Sequence, residues 1–149
     1  MTEYISNSYE ETCGIAGKLA NTLPKGAVIA FVGDLGAGKT AFTSGFAGAL
    51  GMTDCVSSPT FSICNVYRSA ENTVYHFDMY RVDGWDDLVT TGYYDVPDGA
   101  YLLIEWSENI YGALPEDAVI VRIEKAGETQ RKITVMNKKE AEIEFGISD

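Results

Sequence analysis

The sequence predicts an α/β fold, in which a mixed β-sheet is parallel around one glycine-rich loop, carries antiparallel additions and is flanked by helices. A short apolar run, residues 27–32, leads into a glycine-rich octapeptide at residues 33–40. A helical pattern follows the loop, with apolar residues three or four positions apart at Phe42, Phe46, Ala49 and Leu50. Gly51 is placed to cap the end of this helix. A second apolar run, residues 101–104, has the pattern of a buried strand. Two pairs of β-rich runs with short links add the antiparallel part.

The segment before the loop predicts a strand, a helix and a turn. Residues 4–6 could form an opening strand, and Ser8 with Glu11 makes an S-x-x-E capping box that begins a helix. The apolar face of this helix consists of Thr12, Ile15, Ala16, Leu19 and Leu23. Residues 24–26, Pro-Lys-Gly, then turn the chain into the strand that carries the loop.

The octapeptide at residues 33–40 reads GDLGAGKT and matches the phosphate-binding pattern G-x-x-x-x-G-K-[ST]. Backbone N–H groups of such a loop and the N-terminus of the next helix form a concavity that suits phosphate. Gly36 and Gly38 permit close approach of the backbone. Lys39 brings a positive charge to the outer phosphates, and the Thr40 hydroxyl can ligate magnesium. The strand before and the helix after disfavour a fortuitous glycine-rich turn, so the sequence predicts a P-loop NTPase-like sheet that binds a nucleoside triphosphate.

The chain after the loop helix predicts further strands. The runs at residues 61–67 and 73–77 have a short link between them and predict an antiparallel hairpin. Residues 86–89 indicate a short helix. Two more strands, residues 118–124 and 132–136, flank a turn and again predict an antiparallel pair.

The length of the chain favours one P-loop ATPase domain over residues 1–149, because it suffices for one core but not for a large second domain. In the acidic tail, about residues 138–149, apolar positions alternate with glutamates, which indicates either an edge strand or a loose end. Cys13, Cys55 and Cys64 lie far apart without metal-ligand spacing, as is typical of reduced thiols that serve as small core residues. No signal segment or membrane span is expected, so we predict a cytoplasmic protein.

The charge of the chain limits its partners. Eleven Lys and Arg against 22 Asp and Glu give a net charge of −11, which repels nucleic-acid backbones. We therefore expect no DNA or membrane binding and only indirect contact with RNA. The acidity indicates either simple solubility or an acidic face that docks on a more basic protein.

Two carboxylates are candidates for the rest of the chemistry. Glu105 follows the apolar strand 101–104, and ligands of open α/β sheets gather beyond the carboxyl ends of such strands. It is a candidate magnesium ligand, and the alternative is a solvated glutamate at a strand end. Asp78 follows the second run of the first hairpin and could orient or deprotonate the attacking water, or complete the metal shell. Its alternative role is structural, in an ion pair with Arg81.

Two further polar residues near these motifs have competing interpretations. Thr60 lies in the polar segment after the loop helix and is either a switch hydroxyl that senses the terminal phosphate or part of an ordinary turn. His76 is the only histidine, and a lone histidine is more often a satisfied structural group than a catalyst.

Four motifs in order resemble those of the bacterial TsaE (YjeE) ATPases: GDLGAGKT at 33–40, SPTF at 58–61, HFDMYR at 76–81 and IEW at 104–106. The resemblance spans about residues 8–123. It implies an ATPase that acts with the partner proteins TsaD and TsaB to make threonylcarbamoyladenosine, the modified base beside the anticodon of some tRNAs. It also implies ATP and Mg²⁺ as cofactors, and turnover that is slow without the partners.

The resemblance also implies roles for single residues. Lys39, Asp78 and Glu105 are the expected catalytic group, and Thr40 and Glu105 are expected to serve magnesium. The expected nucleotide-binding residues are Asp34, Leu35, Gly36, Ala37, Gly38, Lys39, Thr40, Ala41, Thr60 and Trp106. Family members usually carry a threonine where this chain has Ala41, which removes a hydroxyl near the inner phosphates. The stretch at residues 92–95, Gly-Tyr-Tyr-Asp, also departs from the expected acidic segment.

Three other functions compete with this interpretation. A small-molecule kinase needs arginines around the transferred phosphoryl group, and this chain has only Arg68, Arg81, Arg122 and Arg131. A regulatory GTPase is suggested faintly by Asn-Lys-Lys-Glu at residues 137–140, but its acidic residue is Glu and it lies in the charged tail. A scaffold that binds nucleotide without hydrolysis is the third, and the intact set of candidate catalytic residues disfavours it.

Overall fold

The computed structural model of the protein describes residues 1–32, 38–52 and 63–146. These residues form a seven-stranded mixed sheet in the order β1-β7-β6-β2-β5-β4-β3, flanked by helices. The strands are β1 (Thr2–Ser6), β2 (Val28–Val32), β3 (Cys64–Arg68), β4 (Thr73–Asp78), β5 (Tyr101–Glu105), β6 (Val119–Lys125) and β7 (Arg131–Asn137). The helices are α1 (Tyr9–Thr22), α2 (Lys39–Ala49), α3 (Trp85–Thr90) and α4 (Lys138–Phe145), with 3₁₀ helices at Tyr93–Asp95 and Ser107–Ala113.

The centre of the sheet is parallel, as the sequence predicts. β2 lies between β5 and β6 and is parallel to both, and β4 is parallel to β5 on the other side. Every residue of β5 is buried. Alternate residues of the central strands enter two separate apolar clusters, one with α1 and α2 and the other with α3, α4 and the 3₁₀ helices. Helices therefore cover both faces, which explains why these strands are apolar without alternation.

The antiparallel strands extend the sheet at both edges. β3 and β4 form the first predicted hairpin, and β6 and β7 form the second. The opening strand β1 is also confirmed, and it pairs antiparallel with β7. The start of the first hairpin, residues 61–62, and the polar segment at 56–60 lie outside the described residues.

Helix α1 begins as its sequence predicts and packs on the helix that follows the loop. The Ser8 hydroxyl accepts a hydrogen bond from the Glu11 N–H at 3.1 Å, while the Glu11 carboxylate accepts one from the Asn7 N–H at 2.5 Å. The capping box is thus shifted by one residue on its carboxylate side. Where α1 crosses α2, a Cβ on Gly45 would lie 2.2 Å from the carbonyl oxygen of Cys13. Only glycine allows this close approach.

The acidic tail is the clearest correction to the sequence prediction. Residues 138–145 form helix α4, and are neither an edge strand nor a loose end, while residues 147–149 lie outside the described part. Asn137 caps α4, because its side chain accepts from the Glu140 N–H at 2.8 Å and Glu140 accepts from the Asn137 N–H at 3.0 Å. Ala141 is fully buried and Phe145 lies under the Arg122 guanidinium. Spaced four apart, these two residues share one helix face, which an alternating pattern conceals.

The cysteines are less buried than predicted. Cys13 and Cys64 have intermediate exposure, and Cys55 lies outside the described residues. Burial raises the pKa of Cys64 to about 11, so its sulfur stays protonated at neutral pH. In the ranges that the structure describes, no helix is both long and apolar enough to cross a membrane.

Candidate functional site

The candidate site lies at the edge of the sheet where the parallel strands β2, β4 and β5 end. Asp78 and Glu105 are the last residues of β4 and β5, and they are Cα partners across the two strands. The glycine-rich loop leaves the same edge, because it directly follows β2 at Val32. Residues 33–37 lie outside the described part, so the predicted roles of Asp34, Leu35, Gly36 and Ala37 stay predictions, as does that of Thr60.

The described end of the loop positions a lysine at this edge. Gly38 precedes α2 with φ of +112°, a left-handed conformation that side chains rarely adopt. Lys39 follows as the first residue of α2 and is only 4% exposed. Burial raises the pKa of Asp78, and the positive charge of Lys39 is among the smaller effects that oppose this rise, so the ammonium and this carboxyl group lie within electrostatic range of each other. A buried cation near carboxylates is suited to holding an anion.

Thr40 and Ala41 complete the first turn of α2. Thr40 is an exposed residue in this turn. Ala41 is buried, and its carbonyl oxygen accepts a hydrogen bond from the Cys13 thiol at 3.2 Å. A threonine hydroxyl in the first turn after a phosphate-binding loop can ligate magnesium that is shared with phosphate oxygens.

Glu105 is not the solvated glutamate of the alternative interpretation. It is 6% exposed, and its Oε2 lies 2.6 Å from Nε2 of His76. Nδ1 of His76 in turn lies 3.1 Å from the Tyr67 hydroxyl, so both ring nitrogens have a partner. The expectation that His76 is a satisfied buried group is confirmed. What the sequence did not predict is that one of its partners is the candidate magnesium ligand.

Asp78 has the environment of a proton acceptor. Burial raises the pKa of its carboxyl group above the usual value and the Glu105 charge adds to this, while the hydrogen bond from Tyr80 N–H and the charges of His76 and Lys39 act in the opposite direction. A raised pKa makes a carboxylate a stronger base, as activation of water requires. Its Oδ1 accepts from the Tyr80 N–H at 3.0 Å. Between the described residues Asp78 and Arg81 the structure records no ion pair, and Arg81 is exposed.

The backbone leaves the extended conformation directly after Glu105. Trp106 has φ of +57° and is the only described residue other than glycine with a positive φ. The centroid of its ring lies 4.9 Å from that of the Tyr80 ring. Strained backbone of this kind is concentrated at functional sites. Two hydrogen bonds tie the segment after Trp106 to β2 and to the residue that follows β4: the Ser107 hydroxyl donates to the Phe31 carbonyl at 2.7 Å, and the Asn109 amide donates to the Met79 carbonyl at 2.8 Å. Sequence reasoning missed both residues, since neither carries a motif.

A cavity of about 330 Å³ lies beside the described end of the loop. Gly38 and Ala41 line one side, and residues from α1 and the β6–β7 hairpin line the other, among them Ser8, Thr12 and Arg131. Arg131 is close enough that a Cβ on Gly38 would lie 3.9 Å from its Cγ. The sequence pattern singled out Arg131 only as one of few arginines. Its place beside the loop results from the pairing of distant strands.

The donor set fits magnesium shared with phosphate better than a metal held by protein alone. Within the described ranges, no group of three or more His, Cys, Asp or Glu side chains could hold a metal ion. Magnesium usually takes one or two carboxylates together with phosphate oxygens and waters. Glu105 and Thr40 would supply such a partial set, with Asp78 beside Glu105 at the strand ends.

Comparison with known proteins identifies the family. The family model described as "Threonylcarbamoyl adenosine biosynthesis protein TsaE" matches residues 6–133. The chain is 41% identical over 126 residues to the tRNA threonylcarbamoyladenosine biosynthesis protein TsaE of Bacillus subtilis, covering 84% of this chain and 78% of that protein. It is 33% identical to the protein of the same name from Treponema pallidum, covering 88% of this chain and 97% of that one.

A solved structure is similar along nearly the whole chain. The crystal structure of YdiB from Bacillus subtilis superposes with a TM-score of 0.71 and 34% sequence identity, covering 95% of this chain and 89% of YdiB. The mixed sheet described above is therefore a fold that a solved protein shares. The family model covers most of the chain and the relatives match it along most of their own length, so the chain belongs to the TsaE family of threonylcarbamoyladenosine biosynthesis proteins.

Proposed function

We propose that this chain is a magnesium-dependent ATPase that serves the synthesis of threonylcarbamoyladenosine in tRNA. The observation that carries the proposal is the convergence of a buried lysine and two carboxylates, Lys39, Asp78 and Glu105, at the edge of the sheet that the glycine-rich loop leaves. The names of its relatives supply the pathway, since they are described as tRNA threonylcarbamoyladenosine biosynthesis proteins.

Each residue at the edge has a distinct task in this proposal. The Lys39 ammonium binds the outer phosphates. Its electrostatic attraction to them becomes stronger as negative charge moves toward them during hydrolysis. The Thr40 hydroxyl and the Glu105 carboxylate hold magnesium, which when bound offsets phosphate charge. Asp78 orients the attacking water and accepts its proton, in keeping with its raised pKa.

The cavity beside the loop is the place that we assign to the nucleoside. It begins at Gly38 and Ala41, next to the phosphate site, and is bounded by Ser8, Thr12 and Arg131. Its volume of about 330 Å³ lies within the range that small-molecule sites occupy. The cavity includes Ala41, where relatives usually have a threonine, so affinity for nucleotide is expected to be lower than theirs.

We further propose TsaD and TsaB as the partners of this ATPase, as the family resemblance implies. The net charge of −11 opposes direct tRNA binding and suits docking on a basic protein surface. One exposed surface combines aromatic rings with acidic side chains. Trp85 and Tyr94 have their ring centroids 5.3 Å apart, and Val89 lies four residues after Trp85 on α3. We call these three residues the aromatic face.

The aromatic face is exposed and bordered by negative charge. Trp85 is 66% exposed, while Val89 and Tyr94 are about half exposed, at 47% and 48%. Asp86 and Asp87 lie on the same short helix. Exposed Trp and Tyr side chains are the residues that most often dominate protein interfaces. The occupant that this chemistry favours is an apolar patch with flanking Lys or Arg side chains, which we assign to the TsaD–TsaB pair.

The direct test is ATP turnover of the isolated chain and of the chain mixed with TsaD and TsaB. We expect slow magnesium-dependent hydrolysis that increases in the mixture. Lys39→Ala should abolish it, since loss of a charge-assisted phosphate contact costs about 1.5–3 kcal/mol in binding and more in the transition state. Lys139→Ala, an exposed lysine of α4, is the matched control. Wild-type turnover in a folded Lys39→Ala variant would show that the proposed site is wrong.

A further inference from the structure

The buried chain of hydrogen bonds behind Glu105 links three neighbouring strands. Tyr67, His76 and Glu105 come from β3, β4 and β5 and are 4%, 1% and 6% exposed. Strand register places them on one face. Tyr67 pairs with Val74, two residues before His76, and His76 pairs with Leu103, two residues before Glu105. The three side chains therefore form a row that ends at the candidate magnesium ligand.

We propose that His76, itself held by Tyr67, is a positioning residue that fixes the Glu105 carboxylate for magnesium. The inference rests on the proposed function, because it gives Glu105 the role of a metal ligand. It goes beyond that function in adding two residues, His76 and Tyr67, that would touch neither metal nor nucleotide. Outer hydrogen bonds of this kind orient the ligands of many protein metal sites.

The partners of the imidazole determine its tautomer. An ionised carboxylate has no proton to donate, so Nε2 of His76 must carry the hydrogen in the 2.6 Å contact with Glu105. In the neutral ring Nδ1 is then the acceptor, and the Tyr67 hydroxyl donates to it across 3.1 Å. Tyr67 thus selects the tautomer that can donate to Glu105.

The hydrogen bond limits how Glu105 can bind a metal. Its Oε2 accepts the hydrogen bond from His76, so the carboxylate cannot rotate freely while that bond is held. Magnesium demands near-octahedral geometry and tolerates misplaced ligands poorly. A carboxylate that is already fixed loses less conformational entropy when the metal binds, so the entropy cost of metal binding is lower.

The first experiment uses nuclear magnetic resonance on the untagged, metal-free chain. His76 is the only histidine in the sequence, so its ring nitrogens give one set of ¹⁵N signals. We expect the Nε2–H tautomer in the wild type and a changed tautomer equilibrium in Tyr67→Phe. Tyr75→Phe, on the opposite face of β4, is the matched control and should leave the signals unchanged. The Nδ1–H tautomer in the wild type, or ¹⁵N signals that are the same in the wild type and in Tyr67→Phe, would overturn the inference.

The second experiment measures Mn²⁺ affinity by electron paramagnetic resonance in the presence of a non-hydrolysable ATP analogue. We expect His76→Leu to weaken Mn²⁺ binding by about tenfold or more, as losses of outer-shell hydrogen bonds do. His76→Gln keeps an amide donor and should recover most of the affinity. Binding of the metal-free analogue should be the same in all three proteins, which a merely structural defect would not allow.

The outcomes separate this inference from the proposed function. If the wild type binds Mn²⁺ with the analogue but His76→Leu binds it equally well, the positioning role is wrong and the ATPase proposal stands. If the wild type itself binds no metal with the analogue, the proposed function fails, and the positioning role fails with it.

Discussion

At the scale of single residues, ionisable groups are buried where the chemistry is proposed. Lys39, His76 and Glu105 are each less than 7% exposed; Lys39 lies at the loop end, Glu105 at the end of β5, and His76 two residues before the end of β4. Burial of charge costs free energy unless partners compensate for it, so such a cluster is a better indicator of function than any one of its members. Glu105 has the His76 ring as compensation, at 2.6 Å.

Replacing Glu105 or Asp78 by its neutral amide should affect different properties of the protein. Glu105→Gln is expected to weaken magnesium-dependent nucleotide binding, because an amide is a poorer ligand for magnesium. Asp78→Asn should leave binding in place and lower turnover, because an amide cannot accept a proton from water. Calorimetry with Mg²⁺ and an ATP analogue, together with turnover assays, distinguishes the two. Equal loss of magnesium-dependent binding in both variants would contradict separate roles.

At the scale of elements, the contact between α1 and α2 supports the loop helix. Gly45 of α2 lies against the Cys13 backbone, where an added Cβ would be 2.2 Å from the carbonyl oxygen. Backbone cannot yield as a flexible side chain does, so a larger residue must push the two helices apart. Since Lys39 begins α2, the position of its ammonium depends on this packing.

Gly45→Ala should therefore destabilise the protein, by about 1–3 kcal/mol as overpacking typically does. Gly48→Ala is the matched control on the same helix, since a Cβ there would meet nothing within 4 Å. That control should gain up to about 1 kcal/mol, because alanine favours helix over glycine. Urea unfolding of both variants measures the difference. A Gly45→Ala variant as stable as Gly48→Ala would show that the helices are not in this close contact.

Helix α4 depends on its N-terminal cap. Asn137→Ala removes the acceptor for the Glu140 N–H and should cost about 1 kcal/mol of stability. Asn137→Ser retains an acceptor and should be close to the wild type. Thermal or urea unfolding supplies the measurement, with nucleotide binding as the check that the site is intact. Unchanged stability in the Asn137→Ala variant would mean that packing of Ala141, and not the cap, holds the helix.

The same cap disfavours the regulatory GTPase interpretation. Asn137 and Glu140 faintly match the guanine-reading motif, but in the structure they bond to each other's backbone N–H groups. The first of the two lysines between them also has a partner: Lys138 is buried and donates to the Leu114 carbonyl at 3.3 Å. The resemblance to that motif is explained by helix capping.

At the scale of the whole molecule, charge and exposed aromatic rings should govern association. Trp85→Ala, in the aromatic face, is expected to weaken binding to the TsaD–TsaB pair by tenfold or more, about 1.4 kcal/mol or greater, as truncated hot-spot residues do. Ile143→Ala on α4 is the control, since Ile143 is 77% exposed and lies outside that face. Surface plasmon resonance at two salt concentrations tests both, because added salt should slow association with a basic partner.

Two results would contradict the assignment of the aromatic face. Unchanged affinity in Trp85→Ala would place the interface elsewhere on the molecule. Association that is insensitive to salt would remove charge complementarity as the reason for it.

Local patterns in the sequence were enough to predict most of the described strands and helices. The order of strand, glycine-rich loop and helix, both hairpins and the strand that ends at Glu105 follow from periodicity, turn residues and caps, which act between near neighbours. Among the described strands and α-helices, the exception is α4. Its alternating pattern indicated a strand or a loose end, and only the capping bonds of Asn137 and the burial of Ala141 make it a helix.

The tertiary structure alone decided which side chains meet. His76 and Glu105 are 29 residues apart, and their contact exists because β4 and β5 pair in one register. Arg131 borders the loop only because the β6–β7 hairpin lies beside β2 and α1. A sequence pattern records what each segment prefers locally, whereas strand order and register are set by the joint burial of apolar faces from the whole chain. For that reason the sequence by itself determined the residues of this candidate site, and the fold determined their partners.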